Sequence, residues 1–151
     1  MPGPEELPKR LRRLVEAAAS VLGNSYAPYS NVHVAAAVEA EDGSIHLGVN
    51  VENASYGLTV CAERNAVAAM VTAGKRRVRA VAVVSDMPVP LPPCGACRQV
   101  LAEFADPDTP VVSYSTVSRK SRVWRLGELL PYAFTPSHIE SAGRRNSEPQ
   151  P

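Results

Sequence analysis

CAERNAVAAMVTAGKRRVRAVAVVSDMPVPLPPCGACRQ, residues 61–99, holds a helix, a strand and the start of a second helix, and its reading decides the fold. Residues 61–73 are rich in Ala and Val and end at Gly74. So apolar a helix is expected to be buried on most sides. Val78–Ser85 reads Val-Arg-Ala-Val-Ala-Val-Val-Ser. A continuous β-branched run of this kind fits a strand covered on both faces. The proline-dense residues 87–93 must be extended. Residues 94–104 then form the next helix, and a strand at Pro110–Ser115 would return parallel to the first, because a helical crossover joins parallel neighbours.

Outward from this unit, residues 5–22 place Leu7, Leu11, Leu14, Val15, Ala18 and Leu22 at helical spacing. Pro8 falls in the expected first turn and Gly23-Asn24 at the end. Tyr26-Ala27-Pro28-Tyr29-Ser30 is an irregular aromatic loop. Residues 32–39 and 45–51 read as strands joined by Glu41-Asp42-Gly43-Ser44, a hairpin signal. A weaker strand is expected at 121–126 and a helical turn at 127–130. The order α-β-β-α-β-α-β-β predicts an α/β fold: a three-layer arrangement with a mixed sheet of about five strands between helices. Residues 1–137 are expected to form one domain and residues 138–151 a mobile polar tail.

Composition narrows the function classes. The chain has 151 residues, 45% of them hydrophobic, and a net charge of +1 from 16 basic and 15 acidic side chains. Such a balance lacks the basic excess of a nucleic-acid binder. No apolar run is long enough for a membrane span. Residues 1–10 carry no apolar core of a secretion signal, and three cysteines cannot close a disulfide set. Reduced thiols in the cytoplasm are the expectation.

The chemistry lies in Cys61-Ala62-Glu63 and Pro93-Cys94-Gly95-Ala96-Cys97. Three thiolates can hold one zinc ion and leave a fourth position open, as in a catalytic site. Glu63 is the candidate proton carrier for a zinc-activated water. The arrangement is that already known for zinc deaminases, including the three-cysteine form with a Glu that is not a ligand. Cys94 and Cys97 would share the first turn of a helix, whose N-terminus favours thiolate. Cys61 and Glu63, two apart, do not share a face of a regular helix. Three thiolates outweigh the charge of zinc by about one, so donors near the sulfurs are expected, with Arg64 and Arg98 as candidates. Other readings of the same residues are a redox pair at Cys94 and Cys97, a closed structural zinc completed by His33, His46 or His138, and a metal-free buried Cys61. The redox reading leaves Cys61-Ala62-Glu63 unexplained.

Asn50-Val51-Glu52-Asn53-Ala54-Ser55-Tyr56-Gly57, Cys61-Ala62-Glu63-Arg64 and Pro93-Cys94-Gly95-Ala96-Cys97-Arg98-Gln99 together resemble the homotetrameric zinc-dependent cytidine deaminases. Tyr26-Ala27-Pro28-Tyr29-Ser30 and Leu129-Leu130-Pro131-Tyr132-Ala133-Phe134 match other parts of that family, so the resemblance spans residues 11–134. It implies the cytidine deaminase-like fold and hydrolysis of cytidine and 2′-deoxycytidine to uridine and 2′-deoxyuridine, with release of ammonia, in pyrimidine salvage. It implies Zn2+ on Cys61, Cys94 and Cys97, with Glu63 as proton shuttle. It also implies Asn50 and Glu52 on the ribose hydroxyls, Ala62 on the base, Phe134 near the base pocket and Arg64 as donor to the thiolates. Ala54 and Tyr56 would complete the active site of a neighbouring subunit in a homotetramer. Two departures stand out: Val32 where the family usually has a phenylalanine on the base, and Ala35 where it usually has glycine. Lost stacking can be worth about 1 kcal/mol, with Phe134 or Tyr29 as candidates to compensate.

Three rivals share part of this pattern. A deaminase of a modified cytosine nucleoside, of the blasticidin type, shares the cysteines but is not expected to carry the full 50–56 run. A nucleic-acid-editing deaminase needs a basic groove. A silent zinc scaffold has no use for Glu63.

Overall fold

The computed structural model describes residues 6–140. The elements are α1 (Lys9–Ala19), β1 (Val34–Ala40), β2 (Ile45–Val49), α2 (Ala62–Thr72), β3 (Val78–Ser85), α3 (Gly95–Phe104), β4 (Pro110–Ser115), β5 (Ser121–Arg125) and α4 (Leu126–Leu129). They form one five-stranded sheet in the order β2-β1-β3-β4-β5. Only β3 and β4 run parallel, with Val81 opposite Val111 and Ser85 opposite Ser115; the other neighbours are antiparallel. The expected mixed sheet with a helical crossover at α3 is what forms.

Strand alternation sorts the core into two layers. Ala35, Ala37, Ala80, Ala82 and Val84 face α1, where Leu11, Leu14, Val15 and Ala18 cover them. Ala36, Val38, Val81 and Val83 face the other way, against Ala66, Val67 and Met70 of α2 and Leu101 of α3. The alanine-rich face brings α1 close; the valine-rich face receives the two helices whose starts carry the cysteines. Among the described residues no helix is long and apolar enough to cross a membrane.

Boundaries moved by a few residues, for local reasons. The first helix is shorter than 5–22, because Pro8 is its N-cap with extended backbone rather than a first-turn residue. Its C-terminal end passes into a separate 3-10 turn at Leu22–Asn24. The strand expected from residue 32 begins at Val34, since Asn31 takes a positive φ of 58° and residues 32 and 33 bond to side chains instead of a ladder. The second strand ends at Val49 rather than 51, because Val51 leaves the ladder for bridges to Tyr26 and Val60. α2 closes as the glycine signal requires. Gly74 has φ 88°, its N–H donates to Val71 O at 2.9 Å, and Lys75 N–H reaches Met70 O at 3.1 Å, the paired bonds of a Schellman cap. Burial of α2 on most sides holds except along one stripe: Ala62, Glu63, Ala66, Val67 and Met70 are buried, while Ala68 and Thr72 are exposed in the single chain. Residues 136–140 form one more helical turn; the rest of the expected tail, 141–151, lies outside the described residues.

Candidate active site and metal centre

The start of β1, the end of β3 and the starts of α2 and α3 meet at one end of the sheet. Cys61 is the N-cap of α2, with extended backbone at φ −71° and ψ 155°. It is therefore outside the regular helix, which removes the spacing conflict: Cys61 turns to the metal position while Glu63, in the first turn, faces the same cavity from another side. Cys94 is the N-cap of α3 and its sulfur accepts from Cys97 N–H at 3.5 Å. Cys61 Sγ lies 3.7 Å from Cys94 Sγ, and Cys94 Sγ lies 3.3 Å from Cys97 Sγ.

These three sulfurs all lie within 4.8 Å of one another. Tetrahedral zinc with Zn–S of about 2.3 Å needs sulfurs about 3.8 Å apart. The donor set is soft and the spacing close to that value, so the cluster fits zinc. No fourth cysteine, histidine or carboxylate joins it among the described residues. His33 bonds Asp86 and His46 bonds Ser44, while His138 caps the turn after Thr135. The closed-site reading thus loses its three candidate ligands.

Electrostatics match the geometry. The Cys61 thiol is lowered to about 5, chiefly by a hydrogen bond from Cys97, against the opposing effect of burial and with help from Cys94 and Arg64. Cys97 is pushed far up because it holds the proton that Cys61 gives up, and burial adds to this. Deprotonation of the whole trio would call for a cation among the sulfurs. Burial pushes the Glu63 carboxyl above the usual carboxylate range, the Cys61 charge adds to the shift, and a Cys97 hydrogen bond opposes it. Arg64 Nη2 donates to Thr59 O at 3.0 Å, while its buried Nε has no partner. Arg98 is not a sulfur donor in this arrangement: Nε holds Pro93 O and Nη1 holds Leu129 O, each at 2.7 Å. It fixes the residue before Cys94 instead.

A cavity of about 170 Å³ opens beside the cluster, lined by Val34, Asn50, Thr59, Cys61, Ala62, Glu63, Val83, Leu91, Pro92 and Cys94. A second, of about 310 Å³, is lined by Tyr29, Ser30, Glu52, Tyr56 and Thr59. Thr59 borders both. Asn50 is buried and largely engaged: Oδ1 accepts from Ser25 Oγ and Val34 N, and Nδ2 donates to Val32 O at 2.8 Å. One N–H remains. The Glu52 carboxylate accepts from Tyr29 N, Ser30 N and Ser30 Oγ. The Ser30 hydroxyl, chiefly, holds it below the usual range against the opposing effect of burial, with help from the Ser30 and Tyr29 amides.

Among the remaining expected residues, Ala62 lines the first cavity and Tyr56 the second. Ala54 is exposed in the segment leading to the 3-10 turn at Tyr56–Leu58. Phe134 borders neither cavity; it stacks on His138 at 5.5 Å and its carbonyl takes Gln99 Nε2 at 2.8 Å. Val32 is half-buried and outside the cavity lining, and Ala35 is fully buried against α1. Aliphatic groups, not a ring, thus form the near wall. A further cavity, of about 710 Å³, lies at the other end of the sheet and contains none of these residues. Its Arg10 pairs with Glu39 and its Arg77 with Asp106.

Sequence reading missed Gly48 and the wall made by Leu91 and Pro92. A Cβ on Gly48 would stand 2.4 Å from Ala66 N and 2.5 Å from Ala62 O. The glycine inside a strand pattern was the available signal, since it marks close backbone approach.

Comparison with known proteins agrees with this chemistry. Residues 8–113 match the model of the cytidine and deoxycytidylate deaminase zinc-binding region. A cytidine deaminase of Halalkalibacterium halodurans is 47% identical over 122 residues, covering 81% of this chain and 92% of that one. One from Sporosarcina psychrophila is 38% identical over 135 residues, 89% of this chain and 98% of that one. The crystal structure of a cytidine deaminase from Burkholderia pseudomallei superposes with a TM-score of 0.76 at 47% identity, over 81% of this chain and 97% of that one.

Proposed function

We propose, from the premise that this chain belongs to the cytidine and deoxycytidylate deaminase family, that Glu63 moves the protons of its reaction while Asn50 and Glu52 hold the sugar. The enzyme is a zinc-dependent hydrolase that deaminates cytidine. The observation that carries the assignment of roles is the meeting of three thiols and a buried carboxyl, its pKa raised by burial, in one cavity.

Cys61, Cys94 and Cys97 would hold the zinc ion, which when bound would supply the Lewis acidity that makes water a nucleophile near neutral pH. Glu63 takes a proton from the attacking water and delivers it to ring N3 of the pyrimidine. Attack makes C4 tetrahedral; Glu63 then takes the proton of the new C4 hydroxyl and passes it to the amino group, the C4–N bond breaks as the C4 carbonyl forms, and ammonia leaves. Cytidine and water become uridine and ammonia. A buried carboxyl with a raised pKa can act as acid and base in turn. The Ala62 backbone faces the base, and Val34, Val83, Leu91 and Pro92 exclude water around it. Arg64 offsets the excess thiolate charge. Phe134 reaches no base pocket of its own chain, so a base contact would be to a neighbouring subunit.

The remaining N–H of Asn50 and the remaining lone pairs of Glu52 suit sugar hydroxyls, for both cytidine and 2′-deoxycytidine. Glu52→Ala is expected to raise the nucleoside KM at least about tenfold while leaving the weak turnover of free cytosine unchanged, because a lost sugar contact cannot matter to a substrate without one. Equal damage to both would place Glu52 in folding alone. Ultraviolet assays with cytidine, deoxycytidine, adenosine and a cytosine-containing oligonucleotide test the class as a whole. Turnover of the two cytosine nucleosides only is the expected result, and editing of the oligonucleotide would overturn it. The relatives do not favour the modified-nucleoside alternative.

A homotetramer with shared sites accounts for the apolar groups left outside. Tyr29 packs edge-on against Tyr56 at 5.6 Å, and Tyr56 and Leu58 are 74% and 67% exposed beside the sugar cavity. The outer face of α2 is open as well. Contact between copies would cover both and carry Ala54 and Tyr56 to a neighbour. Mixing Tyr56→Ala with Glu63→Gln chains should restore part of the activity, and a fully active monomer in sedimentation would refute the sharing. Three free thiols suit a cytoplasmic setting and a role in pyrimidine salvage.

A further inference from the structure

The β1–β3 ladder ends at the pair Val34 and Ser85. Beyond it the two chains part: one leads back into the aromatic loop, the other into the proline-rich segment that carries Leu91, Pro92 and Cys94. At the point of parting, Asp86 continues the ladder with its side chain. Its Oδ1 accepts from His33 N at 2.9 Å, and its Oδ2 meets His33 Nδ1 at 2.7 Å. Its own N–H donates to His33 O at 3.2 Å. Both side chains are only about one-third exposed, at 33% and 35%. Asn50 grips the same stretch from the other side, through Val32 O and Val34 N. The β3 exit is equally fixed on its far flank, where Ser115 Oγ donates to Met87 O at 2.5 Å and Thr116 N to Ser85 O at 3.0 Å. Val34 forms one wall of the cavity beside the cysteines, and Leu91 with Pro92 forms another.

We propose that Asp86 is a positioning residue for the deamination: through His33 it sets the separation of the Val34 wall from the Leu91–Pro92 wall, and thereby the fit of the pyrimidine ring. This rests on the reading that the ring enters the cavity beside Glu63. Neither residue touches the cysteines, and neither transfers a proton. A ring held loosely between its walls binds less well but, once in place, meets the same reactive groups. The signature is therefore a KM effect rather than a kcat effect.

The zinc-loaded enzyme supplies the test. Asp86→Ala should raise the cytidine KM about tenfold, with kcat within about threefold and zinc content unchanged. Asp86→Asn keeps an acceptor for His33 N–H and should stay within about threefold of the wild-type KM. The double variant with His33→Ala should be no worse than Asp86→Ala alone, because both act through one contact. An unchanged KM in Asp86→Ala, a loss confined to kcat, or fully additive effects would overturn the proposal. Should Asp86→Ala fail to fold, Asp86→Val, which keeps side-chain bulk but removes both acceptor oxygens, decides: a KM raised threefold or more with zinc retained supports the clamp, and an unchanged KM removes it. Wild-type turnover in the same assay separates the underlying reading, since a zinc-loaded wild type that ignores cytidine would overturn the cavity assignment and the clamp with it.

Discussion

Glu63→Gln should abolish nearly all turnover while leaving the fold and the metal in place. The side chain is buried, in the first turn of a helix whose N-cap is Cys61 of the three-thiol cluster. An amide fills the same space and avoids burying a charge, so stability should hold or rise slightly. What it cannot do is accept a proton from water and return it to ring N3 and then to the leaving amine. Loss of one general acid–base step is worth about 10²–10⁴-fold, and this carboxyl serves several steps, so the upper end or beyond is expected. Steady-state rates, zinc stoichiometry and nucleoside affinity measured on one preparation check it. Activity within about tenfold of wild type would remove Glu63 from its assigned role.

Gly48→Ala should do the opposite: it touches no substrate, yet it should damage the whole molecule. The added methyl would lie 2.4 Å from Ala66 N and 2.8 Å from Asn65 C, and backbone cannot rotate away as a side-chain tip can. Either α2 lifts off β2 or the strand bends. Overpacking of this sort costs about 3 kcal/mol, which corresponds to a fall in Tm of roughly 6–12 °C for a chain this long. A lifted α2 also carries Cys61 away from Cys94 and Cys97, so zinc retention should weaken in parallel. A melting temperature within about 2 °C of wild type would show that the strand and helix are not held this tightly.

Much of the fold was legible because the informative residues act locally. Val78–Ser85 announced a strand covered on both faces, and its register against Val111 and Val34 is of that kind. Gly43 and Gly74 sit at positive φ where a hairpin and a helix end were expected. The three cysteines converge because α2 and α3 begin at the same end of the sheet, after β2 and β3, which both run antiparallel to the β1 between them. Less was legible where tertiary context chooses. The outer face of α2 reads as buried by composition, but one sheet covers only one side of a helix. Arg98 follows a cysteine in sequence, yet the carbonyls of Pro93 and Leu129 are nearer than any sulfur it could serve. Asp86 sits in a loop-like stretch, and no periodicity reveals that its carboxylate extends a sheet. Asn50 and Glu52 stood out through a family pattern, and their bonds to residues 25–34 depend on how that loop folds back.

Thr59 stands at the border of the two cavities, its carbonyl held by Arg64 and its hydroxyl by Asn53 N–H. On one side of it lie helix starts, a strand end and three sulfurs. On the other, the proposed sugar recognition would draw on loop residues 29, 30, 52 and 56, which line the second cavity. Such a partition makes the molecule modular for redesign. Libraries confined to those four loop positions can be screened for altered sugars, such as arabinosides or carbocyclic rings, without disturbing the groups that carry out the chemistry on the base.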